Sequence, residues 1–270
     1  MTVESLAIFG GGKIGEALVS GLLRGQRTID SLVVSERHPE RAAYLAETYG
    51  IRALSTVDAA AAVQVLLIAV KPQDIAQLLD DLAPHIRPAH LVVSVAAGIP
   101  TARIERSLPT GTPVVRVMPN TPALVDQAMS AISPGTHAGP EHLAVAETIL
   151  ASVGKVVRVP ESQQDAVTAL SGSGPAYFFF LVEAMIDAGI LLGLPRTVAA
   201  ELIVQTALGA ATMLRDSGEH PVQLREAVTS PGGTTISAIR ELERHGVRHA
   251  LIAAIEAARD RSAELGREQR

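Results

Sequence analysis

Two glycine-containing stretches carry the residues whose spacing could do chemistry. Residues 228–236 read V-T-S-P-G-G-T-T-I, a proline and two glycines, then two hydroxyls, then a helical apolar pattern. That describes a helix entrance with bare backbone N–H groups, and unpaired donors plus the helix dipole favour a small anion there. The same cluster also reads as a plain turn ending in an N-cap. Near the other end, Gly10, Gly11, Gly12, Lys13, Ile14 and Gly15 follow a short apolar run and precede a helical pattern. A G-x-G-x-x-G between a strand and a helix suits a dinucleotide. Gly10 permits a tight turn, Gly12 lets backbone approach a pyrophosphate, and Gly15 allows close helix–strand packing.

The elements that must position these residues alternate. Apolar strands are expected at 6–9, 31–35, 65–70, 91–95 and 114–118, a short one near Ile51, and further strands at 128–133 and 155–159. Helices are expected at 14–22, 39–48, after Pro72 to Leu82, and at 140–152. Repeated strand–helix units with apolar strands predict an α/β Rossmann-type doubly wound parallel sheet over residues 1–160. Ligands of such sheets lie beyond the C-terminal strand ends, where Lys71, Ala96, Ala97 and Asn120 fall. After the second strand come Glu36 and Arg37. A carboxylate there accepts from a ribose 2′-hydroxyl and suits NAD, and a guanidinium pairs with a 2′-phosphate and suits NADP, so the pair leaves both open.

From residue 161 to 270 the period is helical, which predicts an all-α second domain. A long helix over 163–192 must bend at Ser171–Pro175, and others are expected at 195–216, 221–228, 234–245 and 247–266. Several are apolar nearly all round, so burial against a second copy, a homodimer, is expected. Glu183 and Asp187 read either as a catalytic carboxylate pair or as residues that cap helix ends or pair with arginines across the bundle.

Composition narrows the classes. The chain has 270 residues and 47% hydrophobic but only 3% aromatic content, which suits parallel strands and tightly packed helices. A net charge of −5 argues against nucleic acid or an anionic membrane as partner. There is no cysteine, and no histidine pattern of the H-x-x-x-H or H-E-x-x-H kind, so no metal site is expected. The N-terminal residues do not read as a signal peptide, and the apolar stretch 176–194 carries Glu183 and Asp187 and reads as a buried helix rather than a membrane span. A cytoplasmic protein is expected.

The chain resembles the Δ1-pyrroline-5-carboxylate reductases, which make proline by reducing a cyclic imine with a nicotinamide cofactor. The resemblance covers nearly the whole chain. Its motifs are the opening glycine loop, A-V-K-P at 69–72, D-A-V-T-A-L-S-G-S-G-P-A-Y at 165–177, G-L-P at 193–195 and, most specifically, residues 228–236. It implies a helical domain that interlocks with its partner in a dimer, with decamers in many members. It implies that the coenzyme touches Phe9 to Ile14, Glu36 and Arg37, Ala69, Val70, Lys71 and Pro72, and Val95, Ala96 and Ala97. It implies that the substrate sits against Ser230, Gly233, Thr234 and Thr235, and that NADPH is preferred while NADH is accepted by many members. Lys13 stands where an asparagine is frequent in bacterial relatives, and Glu36 where small polar residues occur.

The chemistry fits these residues. Reducing a C=N bond needs hydride on carbon and a proton on nitrogen, and a protonated imine already accepts hydride well. The protein must mainly position the reactants and neutralise the carboxylate. The N–H groups of Gly233 and Thr234 suit that carboxylate, and the Thr235 hydroxyl suits orientation of the ring nitrogen, with proton relay through water. Two other readings compete. A β-hydroxyacid-dehydrogenase-like oxidoreductase places a catalytic lysine in the second domain, and this chain has no lysine after Lys155. A non-enzymatic dinucleotide-binding regulator would show a degraded substrate loop, whereas V-T-S-P-G-G-T-T is intact.

Overall fold

A computed structural model describes residues 5–25 and 27–268, and the chain folds as two compact units. The first takes the chain up to Ser173 together with the segment from Ala258 onward, and the second is Gly174–Ala257.

The first unit is built on β1 (Leu6–Phe9), β2 (Leu32–Ser35), β3 (Arg52–Ala53), β4 (Val65–Ile68), β5 (Leu91–Ser94), β6 (Val114–Met118), β7 (Ala128–Pro134) and β8 (Gly154–Arg158). They form one sheet in the order β3-β2-β1-β4-β5-β6-β7-β8. From β3 through β6 all pairs are parallel. β7 is antiparallel to β6, and β8 runs with β7, so the sheet is mostly rather than wholly parallel. The cause is the connection: residues 119–127, which include a 3₁₀ turn at Thr121–Val125, are too few for a crossover helix and turn the chain back on itself.

Alternate residues of β1, β2, β4, β5 and β6 feed two cores, which is why these strands read as continuous apolar runs. Leu6 and Ile8 pack on one face with Leu18, Leu45 and Ile149, from α1 (Lys13–Arg24), α2 (Pro39–Tyr49) and α6 (Pro140–Leu150). Ala7 and Phe9 pack on the other with Ala60, Leu79 and Ile104, from α3 (Thr56–Ala62), α4 (Ile75–Leu82) and α5 (Thr101–Ser107). α3 and α5 have no counterpart among the expected elements. α3 is an alanine run with little periodic contrast, and its start is marked by Ser55, whose Oγ accepts from Asp58 N–H at 3.1 Å.

Residues 161–173 pack with this sheet. The α7 residue Gln164 (helix Gln164–Val167) is fully buried, and its Nε2 donates to Ser133 Oγ at 2.8 Å and to Ala131 O at 3.3 Å. A π-type turn at Thr168–Gly172 then interrupts the helical path before α8 (Gly174–Leu191), at the bend expected from its glycines. The end of α12 (Val247–Glu268) returns to the same unit, where Ser262 Oγ donates to Asp165 Oδ1 at 2.8 Å across 97 residues of sequence.

The second unit holds α8, α9 (Arg196–Asp216), α10 (Pro221–Ala227), α11 (Thr234–Arg244) and the start of α12. α8 and α9 form a hairpin that turns on Gly193, whose φ of +90° suits glycine. A β-carbon on Gly189 would stand 2.8 Å from that of Ala199, so the two helices are in close contact. Asp187 pairs with Arg196 at 3.0 Å, as expected of an arginine partner. Residues 176–194, expected to be buried, are instead largely exposed in one chain: Phe178, Phe179 and Phe180 are each about two-thirds exposed, and Leu191 is 88% exposed. Consecutive helical residues are roughly 100° apart, so three exposed in a row leave more than half the circumference uncovered. α8 with its preceding turns, and α9, are long and apolar enough to cross a membrane.

Candidate active site

The residues expected to meet the coenzyme lie at the C-terminal edge of the parallel strands. Gly10 N–H donates to Ser35 O at 2.8 Å, Ala69 N–H to Phe9 O at 2.7 Å, and Val95 N–H to Ile68 O at 2.9 Å. These bonds continue the ladder one step past the strands and bring the loops after β1, β4 and β5 out at one level. A crevice of about 500 Å³ opens beside them, lined among others by Phe9, Gly10, Gly11, Gly12, Glu36, Arg37, Ala69, Val70 and Lys71.

The glycines have distinct jobs. Gly10 has φ +105°, and a β-carbon there would stand 2.7 Å from Ala69 O. A β-carbon on Gly15 would stand 2.1 Å from Gly10 O, so α1 can approach β1 only without one. At Gly12 a β-carbon would meet nothing within 4 Å, and no side chain caps the start of α1. Open space beside uncapped helix-entrance amides fits a pyrophosphate. Lys13 and Ile14 form the first turn of α1, and Pro72 opens a 3₁₀ turn at Pro72–Asp74.

The crevice wall near β2 is charged and ordered. Glu36 Oε2 accepts from Gly11 N–H at 2.7 Å, and its Oε1 accepts from His38 N–H at 2.9 Å. Arg37 Nη1 pairs with Asp74 at 2.8 Å. Arg41 donates from Nε to Gly11 O at 2.6 Å, pairs through Nη2 with Glu16 and stacks on Tyr44 at 4.9 Å. Burial pushes the Glu16 carboxyl upward, but hydrogen bonds from Arg41 and Tyr49, with the Arg41 charge, outweigh it and hold the group below its ordinary value. Sequence reading missed Arg41 and Asp74, along with Ser55 and Thr56 of the crevice lining. The last two had a legible signal, because they follow β3 as Glu36 follows β2.

Val95, Ala96, Ala97 and Asn120 follow β5 and β6 at the same edge but do not line the crevice. Ala96 is buried, and its N–H donates to Ser94 Oγ at 3.3 Å. The Asn120 amide is engaged by protein: Oδ1 accepts from Met129 N–H at 2.9 Å, and Nδ2 donates to Ser171 O at 3.3 Å. It fastens the start of β7 and the π-type turn to the end of β6.

The residues expected to meet the substrate belong to the other compact unit. Residues Ser230–Gly233 form a turn closed by Gly233 N–H donating to Ser230 O at 3.1 Å, with Gly232 at φ +67° as the turn requires. Gly233 then caps α11 with no side-chain hydrogen bond. Of the expected donors, Gly233 N–H is used by the turn, and Thr234 and Thr235 open the first turn of α11. Thr235 is partly exposed. Ser237 Oγ donates to Gly233 O at 3.1 Å and Thr229 Oγ1 to Arg225 O at 2.6 Å, so hydroxyls on either side secure the backbone of the turn.

Comparisons with known proteins agree with this fold. Residues 161–265 match the family model described as pyrroline-5-carboxylate reductase dimerisation, and residues 5–98 match one described as NADP oxidoreductase, coenzyme F420-dependent. A pyrroline-5-carboxylate reductase of Mycobacterium tuberculosis is 48% identical over 283 residues, covering 96% of both chains. One from Pseudomonas aeruginosa is 41% identical and covers 98% of both. A solved pyrroline-5-carboxylate reductase from Coxiella burnetii has a TM-score of 0.93 at 35% identity, covering 98% of this chain and 99% of that one. The Plasmodium falciparum pyrroline carboxylate reductase, solved with NADP bound, has a TM-score of 0.88 at 27% identity over 98% of this chain and 99% of that one.

Proposed function

The chain belongs to the pyrroline-5-carboxylate reductase family, and from that premise we propose which of its residues carry the reaction. It is an NAD(P)H-dependent oxidoreductase that reduces 1-pyrroline-5-carboxylate to L-proline, with NADPH as coenzyme. When bound, the reduced nicotinamide supplies the hydride. The chain's own groups bind and orient.

Gly10, Gly11 and Gly12 with the first turn of α1 take the pyrophosphate, and Lys13 adds charge beside it. Glu36 and Arg37 face the adenosine ribose. Ala69, Val70 and Lys71 line the crevice, and Pro72 opens the 3₁₀ turn that follows them. Val95, Ala96 and Ala97 offer backbone only, and Asn120 acts by positioning the β6 edge. In the helical unit, Thr234 and Thr235 N–H hold the imine's carboxylate, Ser230 closes the turn that aims them, and the Thr235 hydroxyl orients the ring nitrogen. The observation that carries this is the uncapped start of α11 directly after a closed S-P-G-G turn. Donors aimed by a rigid turn need no reorganisation when the anion arrives. The reading is tested by supplying purified protein with the cyclic imine and following NADPH or NADH oxidation by absorbance. Absence of turnover with both would refute it.

We propose further that residues 161–270 serve as the substrate and dimerisation domain. The exposed apolar faces of α8 and α9 support burial against a second copy rather than in a bilayer, since α8 carries Glu183 and the Asp187–Arg196 ion pair on its exposed surface. Assembly of dimers into decamers and a cytoplasmic location complete the proposal, with no nucleic acid or membrane partner.

A further inference from the structure

The sequence around β2 holds both an acidic and a basic residue, and the geometry separates their roles. Glu36 is fixed from two sides, by Gly11 N–H at 2.7 Å and His38 N–H at 2.9 Å, and it lines the crevice beside the glycine loop. Two guanidiniums of the same wall are partly engaged elsewhere. Arg37 pairs with Asp74 at 2.8 Å, and Arg41 is held by Glu16 and Gly11 O. Asp74 and Asp81 also line the crevice.

We propose that Glu36 sets the coenzyme choice of this chain: its clamped carboxylate accepts the adenosine ribose hydroxyls of NADH and opposes the 2′-phosphate of NADPH, making NADH a working coenzyme beside NADPH. The inference rests on reading the crevice as the coenzyme site. A carboxylate with both oxygens anchored by backbone N–H groups retains lone pairs for neighbouring hydroxyl donors, and it cannot swing away from an incoming phosphate. Binding NADPH then sets its 2′-phosphate against the Glu36 charge, with only the Arg37 donors that Asp74 leaves over to neutralise it, whereas NADH meets no such repulsion.

The test is the ratio of kcat/KM with NADPH to kcat/KM with NADH, in the full-length protein and in Glu36→Gln. Glutamine keeps an acceptor for Gly11 N–H and removes the charge. The ratio should rise about tenfold in the variant, through both a gain with NADPH and a loss with NADH. An unchanged or lower ratio overturns the proposal. Calorimetry on the unsubstituted protein gives an arm independent of folding of the variant and of turnover. 5′-AMP should bind at least as tightly as 2′,5′-ADP, and a tenfold preference for 2′,5′-ADP overturns the proposal. Failure to reduce the imine with either coenzyme would strike the functional reading alone and leave the calorimetric comparison standing.

Discussion

Ser230 and Gly233 close on each other: the Gly233 N–H donates to the Ser230 carbonyl at 3.1 Å, and a β-carbon on Gly233 would stand 2.3 Å from Ser230 Oγ. Gly233 has φ −80°, so its backbone suits any residue and the constraint is purely one of space. Gly233→Ala should therefore fold, at a cost within about 1 kcal/mol, because a serine hydroxyl can rotate aside. Rotating it disturbs the anion entrance, and KM for the imine should rise about tenfold with coenzyme affinity unchanged. Steady-state kinetics beside coenzyme fluorescence would check this; an unchanged KM removes Ser230 from the substrate contacts.

Thr235→Ala should lower kcat/KM for the imine by about 1–3 kcal/mol in transition-state binding, the range of one lost hydrogen bond. Thr235→Ser should recover most of it, since the hydroxyl returns. Equal kinetics in all three proteins would take Thr235 out of the site.

His90 makes stability depend on pH. The side chain is 1% exposed, its Nδ1 accepts Arg87 N–H at 3.0 Å, and its Nε2 lies 3.1 Å from Val63 O. Burial, then the Arg87 charge, lowers its pKa from 6.5, with the Val63 carbonyl opposing. The unfolded chain therefore takes up a proton before the native one does. This contribution is intact above pH 6.5 and is lost as pH falls from 6.5 toward the lowered value, no more steeply than about 1.4 kcal/mol per pH unit. Urea unfolding between pH 7.5 and 5 should show the decline, and His90→Asn should flatten that part of it. A parallel pair of profiles would count against His90.

Phe179 is 69% exposed on a helix uncovered over most of its girth. Sedimentation of the unsubstituted protein should show no stable monomer, and Phe179→Glu should shift the population toward one. A monodisperse unsubstituted monomer would refute association through this face.

Much of the sheet was legible because β1, β2, β4, β5 and β6 are buried on both faces and read as unbroken apolar runs. α3 and α5 were not: each is seven residues long, and the alanines of α3 offer no contrast between faces. The reversal at β7 was latent in the short connection after Met118. At the site, the glycine loop and the S-P-G-G turn announced themselves through residue type. The Glu36–Gly11, Arg37–Asp74 and Arg41–Glu16 pairings did not, because they depend on which loops the strand register brings side by side. That Gly233 N–H is spent inside the turn follows from the turn's own internal bond, which spacing alone does not reveal.

Ser262 meets Asp165 across 97 residues, and the compact unit containing the sheet takes its final segment from beyond Ala257. The sheet unit is thus assembled from two separated stretches of one chain. A ribosome making this protein would deliver the strands first, then all of the helical unit, and only afterwards the segment that docks on the strands' side. Domains that are contiguous in sequence can finish folding as they emerge. This one must wait, with Asp165 ready early and its partner among the last residues to appear.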